Sequence, residues 1–134
     1  MVLADLTCRG QSPAGWAGKV AEAAAAWNAD LVVAEANNGG DMVLQVLAEA
    51  DAHLPARKVH ASRGKGVRAE PIALLFENGR VGFAGRFAEL EGELCQMTAE
   101  GFVGRGSPDR ADAMVWALDA LRGGRKAAVG VRGL

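Results

Sequence analysis

Apolar residues recur along this chain in two patterns, one with helical spacing and one as short continuous runs. Ser12-Pro13 supplies a capping hydroxyl followed by a proline at the first helical position, which is typical of a helix start. The spacing predicts helices beginning near Ser12, Asp41, Arg68, Phe87 and Ser107. Their inward stripes are expected to be Trp16, Val20, Ala23, Ala24 and Trp27; Val43, Val46, Leu47 and Ala50; Ile72, Leu75 and Phe76; Phe87, Leu90, Leu94 and Met97; and Ala113, Met114, Ala117, Leu118 and Leu121.

The short apolar runs predict strands between these helices. The runs are Val2 to Thr7, Leu31 to Ala34, Lys58 to Ala61 and Arg80 to Ala84. Strands and helices that alternate with short links favour an α/β fold over separate β and α regions. Pro71 is expected in the first turn of the third helix, and Asn78-Gly79 is expected to end that helix.

Length and composition indicate one domain. The chain has 134 residues, of which 50% are hydrophobic and 23% charged, so neither a disordered nor a membrane protein is expected. The N-terminus lacks the features of a signal peptide, and Cys8 and Cys95 lack metal-type spacing, which predicts reduced thiols and a cytoplasmic location. Residues 1–122 form the expected domain, and the glycines and basic residues of 123–134 predict a flexible basic tail.

Positive charge is concentrated in one stretch although the formal net charge is only −1. From Arg57 to Arg68, with both included, there are five Lys or Arg residues and no acid, which is compatible with an edge that faces phosphate groups or with a merely solvated loop. Gly64-Lys65-Gly66 could hold a nucleotide phosphate, but the glycine pattern of a nucleotide-binding loop is missing.

Glu35 stands at the end of the second predicted strand. Ligands of open α/β sheets bind outside the carboxyl ends of strands, so the position suits a binding site. A carboxylate beside the sheet requires a compensating charge, which a divalent metal or an Arg or Lys partner could supply. The turn Asn37 to Gly40 would expose the carboxylate at the sheet edge or would serve only as a connection.

Two acids occupy the start of the last predicted helix. Asp109 lies in its first turn and is most simply explained by a favourable interaction with the helix dipole. Asp112 is expected to point away from the apolar stripe, on a face that also carries Val115 and Trp116. A salt bridge would explain Asp112, and so would a shared metal site with Glu35, because Mg²⁺ and Mn²⁺ prefer oxygen ligands.

Three motifs together carry a family resemblance. In chain order they are AEANNGGDMV, SRGKGVRAEPIALLFENGRV and SPDRADAMVWAL. The set resembles the C-terminal nuclease domain of the large terminase subunit, the DNA-packaging protein of phages, prophages and gene transfer agents. The resemblance runs from about Leu3 to Leu121, nearly the whole chain.

The resemblance implies a ribonuclease H-like mixed sheet flanked by helices and a hydrolase that cuts double-stranded DNA with Mg or Mn in a two-metal site. Glu35 and Asp112 match two catalytic, metal-binding acids of that family. Arg63, Lys65 and Arg68 lie in the second motif, directly after the predicted strand Lys58 to Ala61, and are expected to contact DNA phosphates. The implied partners are double-stranded DNA and, in the packaging machinery, a terminase ATPase domain, the small terminase subunit and the portal.

The chain departs from the family pattern at its N-terminus, where the first hairpin and its Asp are expected to be missing. Asp5 matches a later strand, so it is not assigned as the missing ligand. An N-terminally truncated domain is expected to bind Mg²⁺ or Mn²⁺ weakly, to cut DNA poorly or not at all, and to self-associate through an exposed strand edge. The alternative to a nuclease is therefore a non-catalytic remnant or a module that binds DNA or packaging partners. No ATPase phosphate-binding loop occurs in the sequence.

Overall fold

A computed structural model describes residues 1–36, 41–61 and 64–130, with the side chains of all except residues 65 and 124–130. The chain divides into two compact units. The smaller unit comprises residues 7–61, and the larger unit comprises residues 1–6 together with 62–134. The predicted turn at residues 37–40 lies outside the described residues.

The smaller unit is a βαβ arrangement preceded by a helix. Its elements are α1 (Pro13–Ala26), β1 (Val32–Glu35), α2 (Asp41–Ala50) and β2 (Ala56–Val59). Strands β1 and β2 pair in parallel, and α1 packs on α2. The predicted helix start is confirmed, because Ser12 Oγ accepts a hydrogen bond from the N–H of Gly15 at 3.2 Å with Pro13 at the first helical position. Ala17, Ala36 and Leu47 are buried.

The sequence placed both tryptophans of α1 in or near the core, and for one of them this is wrong. Trp16 is half-buried, whereas Trp27 is 53% exposed. The helix ends at Ala26, and Trp27 is its C-terminal capping residue with non-helical backbone angles. Because the helical periodicity stops there, the extrapolated stripe no longer gives the direction of the Trp27 side chain.

The larger unit contains three helices and a short hairpin among its described residues. These are α3 (Lys65–Glu77), α4 (Ala88–Cys95), β3 (Met97–Thr98), β4 (Gly101–Phe102) and α5 (Asp109–Gly130). Strands β3 and β4 are antiparallel. The strands expected at Val2 and Arg80 are reduced to one parallel bridge between Val2 and Phe83. The described residues thus form two sheets of two strands each, β1 with β2 and β3 with β4, and this single bridge. The wider mixed sheet stays a prediction.

Helix α3 begins earlier than the sequence indicated. Its first residue is Lys65 rather than Arg68, so Gly66 belongs to the helix and not to a loop. Gly66 is needed there because a Cβ atom would lie 2.7 Å from the backbone oxygen of Ala99 and 2.8 Å from that of Thr98. Pro71 consequently lies inside the helix instead of in its first turn. The predicted end is confirmed: Asn78 caps α3 and Gly79 follows with φ +64°.

The core of the larger unit forms where α3, α4 and α5 meet. Its buried residues are Ile72, Leu90, Ala111, Met114, Val115 and Leu118. Phe83 contacts Phe76 at a ring-centroid distance of 5.1 Å and Phe87 at 6.0 Å, and these rings extend the core towards the Val2 bridge.

The inward face of α5 differs from the predicted stripe. Met114 and Leu118 are buried as expected, but Ala113 and Ala117 are exposed and Leu121 is 71% exposed. Residues 111 and 115 are buried in their place, which rotates the inward face towards Asp112. The helix continues to Gly130, beyond the predicted start of the tail at residue 123, and the flexibility of that tail stays a prediction.

Candidate functional site

Asp112 is a buried acid in the first turn of α5. It is only 7% exposed, and its backbone N–H donates to the carbonyl of Pro108 at 2.9 Å, which is the first helical bond. The sequence predicted that it would point away from the apolar stripe. The rotated inward face instead places Asp112 between the buried Ala111 and the half-buried Trp116, so its carboxylate requires compensation by positive charge.

Arg68 of α3 supplies positive charge beside this carboxylate. Its Nη2 lies 3.9 Å from Asp112 Oδ1, and the two side chains are 12% and 10% exposed. This distance is longer than a hydrogen bond, so the contact between these two atoms is an ion pair. The Arg68 guanidinium also lies over the Trp116 ring, with Cζ 4.4 Å from the ring centroid, within the range of a cation–π interaction.

A second charged group lies at the start of α5, around Arg110. The guanidinium donates from Nε to Asp5 Oδ2 at 3.0 Å, from Nη1 to Glu93 Oε1 at 3.3 Å and from Nη2 to Glu89 Oε2 at 2.6 Å. Burial lowers the pKa of Arg110, but the hydrogen bond to Glu93 and the charges of Glu89 and Asp5 outweigh it and hold the pKa above its usual value. Asp5 is thus held by an arginine.

Glu93 also contacts the backbone of α5. Its Oε2 accepts the N–H of Ala111 at 3.0 Å. Carboxylates near a helix N-terminus satisfy N–H groups that have no partner within the helix and interact favourably with the helix dipole. Glu93 and Arg110 therefore fix the turn that carries Asp112.

Glu35 is where the sequence predicted it, at the end of a strand. It is the last residue of β1, it is paired in register with Val59 of β2, and its side chain is exposed. The next residue, Ala36, is buried and donates its N–H to the carbonyl of Val59 at 3.0 Å. Glu35 belongs to the smaller unit and Asp112 to the larger one, so their approach to a shared metal ion stays a prediction.

The three basic residues expected to contact DNA have different outcomes. Arg63 lies outside the described residues, and so does the side chain of Lys65, although the backbone of Lys65 begins α3. Arg68 packs against Trp116 and is largely buried, which the basic character of the stretch did not indicate. Its contact with DNA, like that of Arg63 and Lys65, stays a prediction.

The donor chemistry of the two acids fits a hard divalent cation. Carboxylate oxygens are the ligands that Mg²⁺ and Mn²⁺ prefer, and Glu35 and Asp112 both provide them. Within residues 1–36, 41–61 and 64–130, no group of three or more His, Cys, Asp or Glu side chains could hold a metal.

One residue of this region was missed by sequence reasoning. Arg110 lies within the third motif, but its role depends on carboxylates at residues 5, 89 and 93, which no local pattern connects to it. Trp116 was expected on the same face of α5 as Asp112, four residues earlier, but its contact with Arg68 was not predicted.

In the smaller unit α1, β1, α2 and β2 alternate along the chain, as in an α/β domain, whereas in the larger unit β3 directly precedes β4. The family model for the terminase RNaseH-like domain matches residues 1–121, and the chain therefore belongs to this family, as the resemblance of the three motifs predicted. No curated protein and no solved structure matches the chain. Over the part of the chain that the structure describes, no helix is long and apolar enough to cross a membrane.

Proposed function

We propose that this chain is the metal-dependent endonuclease domain of a DNA-packaging terminase large subunit and cleaves double-stranded DNA. Membership of the terminase RNaseH-like family over residues 1–121 is the observation that carries the proposal. The placement of Glu35 at the end of β1 and of Asp112 in the first turn of α5 supports it, because these are the two acids that match the catalytic acids of the family.

In this proposal Glu35 and Asp112 hold Mg²⁺ or Mn²⁺ through their carboxylate oxygens. The bound metal would activate a water molecule and stabilise charge on the attacking and leaving oxygens of the phosphodiester. Arg110 and Glu93 keep the first turn of α5 in place, which fixes the position of Asp112. Arg63 and Lys65 neutralise phosphates of the duplex without reading bases.

A plasmid-nicking assay with Mg²⁺ or Mn²⁺ tests the proposal. Glu35→Gln and Asp112→Asn keep the size of each side chain but remove its charge, so each should abolish nicking. Asp109→Asn is the matched control for Asp112, because Asp109 lies in the same helical turn but is exposed. Glu49→Gln, an exposed acid on α2, serves the same purpose for Glu35. Nicking that persists in Glu35→Gln and Asp112→Asn would contradict the assignment of these two acids, and the absence of nicking by the unaltered chain would favour the non-catalytic alternative.

The alternative is a non-catalytic module that binds DNA or packaging partners. The Arg68 guanidinium favours it, because a positive charge already lies 3.9 Å from the carboxylate of Asp112. Such a module would bind duplex DNA without requiring divalent cations and would not nick it. The partners under either proposal are double-stranded DNA and the ATPase domain, small subunit and portal of the packaging machinery.

A further inference from the structure

Arg68 and Asp112 are two charged side chains that face each other inside the larger unit. They come from α3 and α5, and they are 12% and 10% exposed. A charge removed from water in this way is tolerated when an opposite charge compensates for it. Arg68 is therefore placed to balance the carboxylate of Asp112 in the structure described.

Trp116 holds the guanidinium at this position. It lies four residues after Asp112 on α5, and its ring contacts the guanidinium at 4.4 Å from Arg68 Cζ. Stacking on an aromatic face restricts a guanidinium that would otherwise sample several rotamers. One face of α5 thus provides Arg68 with a carboxylate and, one helical turn later, with an aromatic ring.

We propose that Arg68 competes with the divalent cation for the carboxylate of Asp112 and so lowers the metal affinity of the site. The inference rests on the proposed function, in which Asp112 is a metal ligand. A guanidinium stays protonated at any physiological pH, so it loses its repulsion towards a second cation only by moving away. Metal binding would therefore displace Arg68 from the Trp116 ring.

Magnesium titration of single-tryptophan proteins tests this competition. Trp16→Phe and Trp27→Phe together leave Trp116 as the only tryptophan of the three in the chain. In this background, titration calorimetry measures Mg²⁺ affinity, and Trp116 emission reports the displacement of the guanidinium. Arg68→Gln should bind Mg²⁺ about tenfold more tightly, since removing one nearby positive charge removes its repulsion. The emission change that Mg²⁺ causes in the parent should disappear in this variant.

Two further substitutions test whether the effect depends on the positive charge at residue 68. Arg68→Lys keeps the positive charge and should retain the parental affinity. Arg122→Gln removes an arginine from the same helix α5, where it pairs with Asp119 at the surface, and should change neither affinity nor emission.

Trp116→Leu covers the case in which Arg68→Gln fails to fold. It keeps the charge that balances Asp112 but removes the ring that anchors the guanidinium. Calorimetry on this variant should show Mg²⁺ binding about threefold tighter. An affinity equal to or weaker than that of the parent would overturn the proposal.

Asp112→Asn distinguishes a failure of this inference from a failure of the proposed function. If Arg68→Gln binds Mg²⁺ no more tightly than the parent and Asp112→Asn abolishes binding, Arg68 does not compete but the metal site stands. If Asp112→Asn leaves Mg²⁺ binding unchanged, or if neither the parent nor Arg68→Gln binds Mg²⁺, the metal site at Asp112 is refuted together with the inference. Tighter binding in Arg68→Gln that Asp112→Asn removes supports both.

Discussion

The guanidinium of Arg68 lies over the indole ring of Trp116, with 4.4 Å between Arg68 Cζ and the ring centroid. The contact joins α3 to α5 within the larger unit, beside the buried carboxylate of Asp112. The contact combines the packing of a large aromatic surface with the electrostatic attraction between the guanidinium and the ring. Substitutions of Arg68 and Trp116 can therefore measure how much the contact stabilises the protein.

A double-mutant cycle should detect this contact. Trp116→Leu and Arg68→Met each remove one partner, and their coupling in the free energy of unfolding should be about 0.5–2 kcal/mol. Urea denaturation of the parent, both single variants and the double variant gives the value. Additive effects of the two substitutions would show that the ring and the guanidinium do not interact in solution.

Replacing Arg110 should destabilise the protein strongly. Arg110→Met would leave Asp5 and Glu93, which are 16% and 14% exposed, without the guanidinium that compensates their charge. Arg122→Met is the matched control on the same helix, because its pair with Asp119 is more exposed and longer, at 3.6 Å. The loss in urea midpoint should be several times larger for Arg110→Met than for Arg122→Met, and equal losses would contradict the role given to Arg110.

Two helical glycines should respond to alanine in opposite directions. At Gly66 the new Cβ would lie 2.7 Å from a backbone oxygen of the β3–β4 turn, so Gly66→Ala should cost about 1–3 kcal/mol of the free energy of unfolding. At Gly92 of α4 nothing lies within 4 Å, so Gly92→Ala should stabilise the protein by about 0.5–1 kcal/mol. Chemical denaturation measures both, and a neutral Gly66→Ala would show that the hairpin yields easily.

The pKa of Asp41 should depend on Lys58. Lys58 Nζ donates to Asp41 Oδ1 at 2.6 Å. This hydrogen bond, as the main cause, and the positive charge of Lys58, as the second, hold the pKa of Asp41 below its ordinary value of 3.8. Because the pKa is lowered on folding, the contribution of the pair is complete above pH 3.8 and is lost as the pH falls through the lowered pKa. Lys58→Met should raise the pKa of Asp41 towards 3.8, as followed by carboxyl NMR, and an unchanged titration would exclude the pair in solution.

Lys65 should contribute to DNA affinity without sequence preference. Lys65→Glu should weaken binding to duplex DNA and reduce the slope of log affinity against log salt by about one, because one phosphate contact is lost. Lys19→Glu, an exposed charge on α1, is the control with the same change in net charge. If the two variants behave alike in a fluorescence-anisotropy salt titration, the effect is one of total charge and Lys65 makes no specific contact.

Local signals in the sequence located several element boundaries. The Ser12-Pro13 start, the Asn78-Gly79 end and the strand ending at Glu35 are all found in the structure, because each depends on backbone chemistry within a few residues. The hairpin of β3 and β4 was missed because two-residue strands carry no alternation, and Met97 fitted the helical stripe of α4 instead.

Features that depend on distant partners were harder to predict. Helix α5 carries apolar residues on most of its circumference, so its sequence did not reveal that residues 111 and 115 rather than 113 and 117 face inward. The position of Asp112 relative to the core could be predicted only once the inward-facing residues of α5 were known. The burial of Arg68 required, in addition, the knowledge that α3 packs on α5, which no short motif contains.

Pro71 lies inside α3, and we expect the parts of the helix before and after it to open separately. Proline has no N–H, so the carbonyl of Val67 receives no helical bond from residue 71. The series of backbone hydrogen bonds is thus interrupted between the N-terminal part of α3, which carries Arg68, and the rest of the helix. The amide protons of the N-terminal part should exchange faster than those beyond Pro71. Arg68 could then leave Asp112 through local opening of one turn, while Ile72 stays in the core.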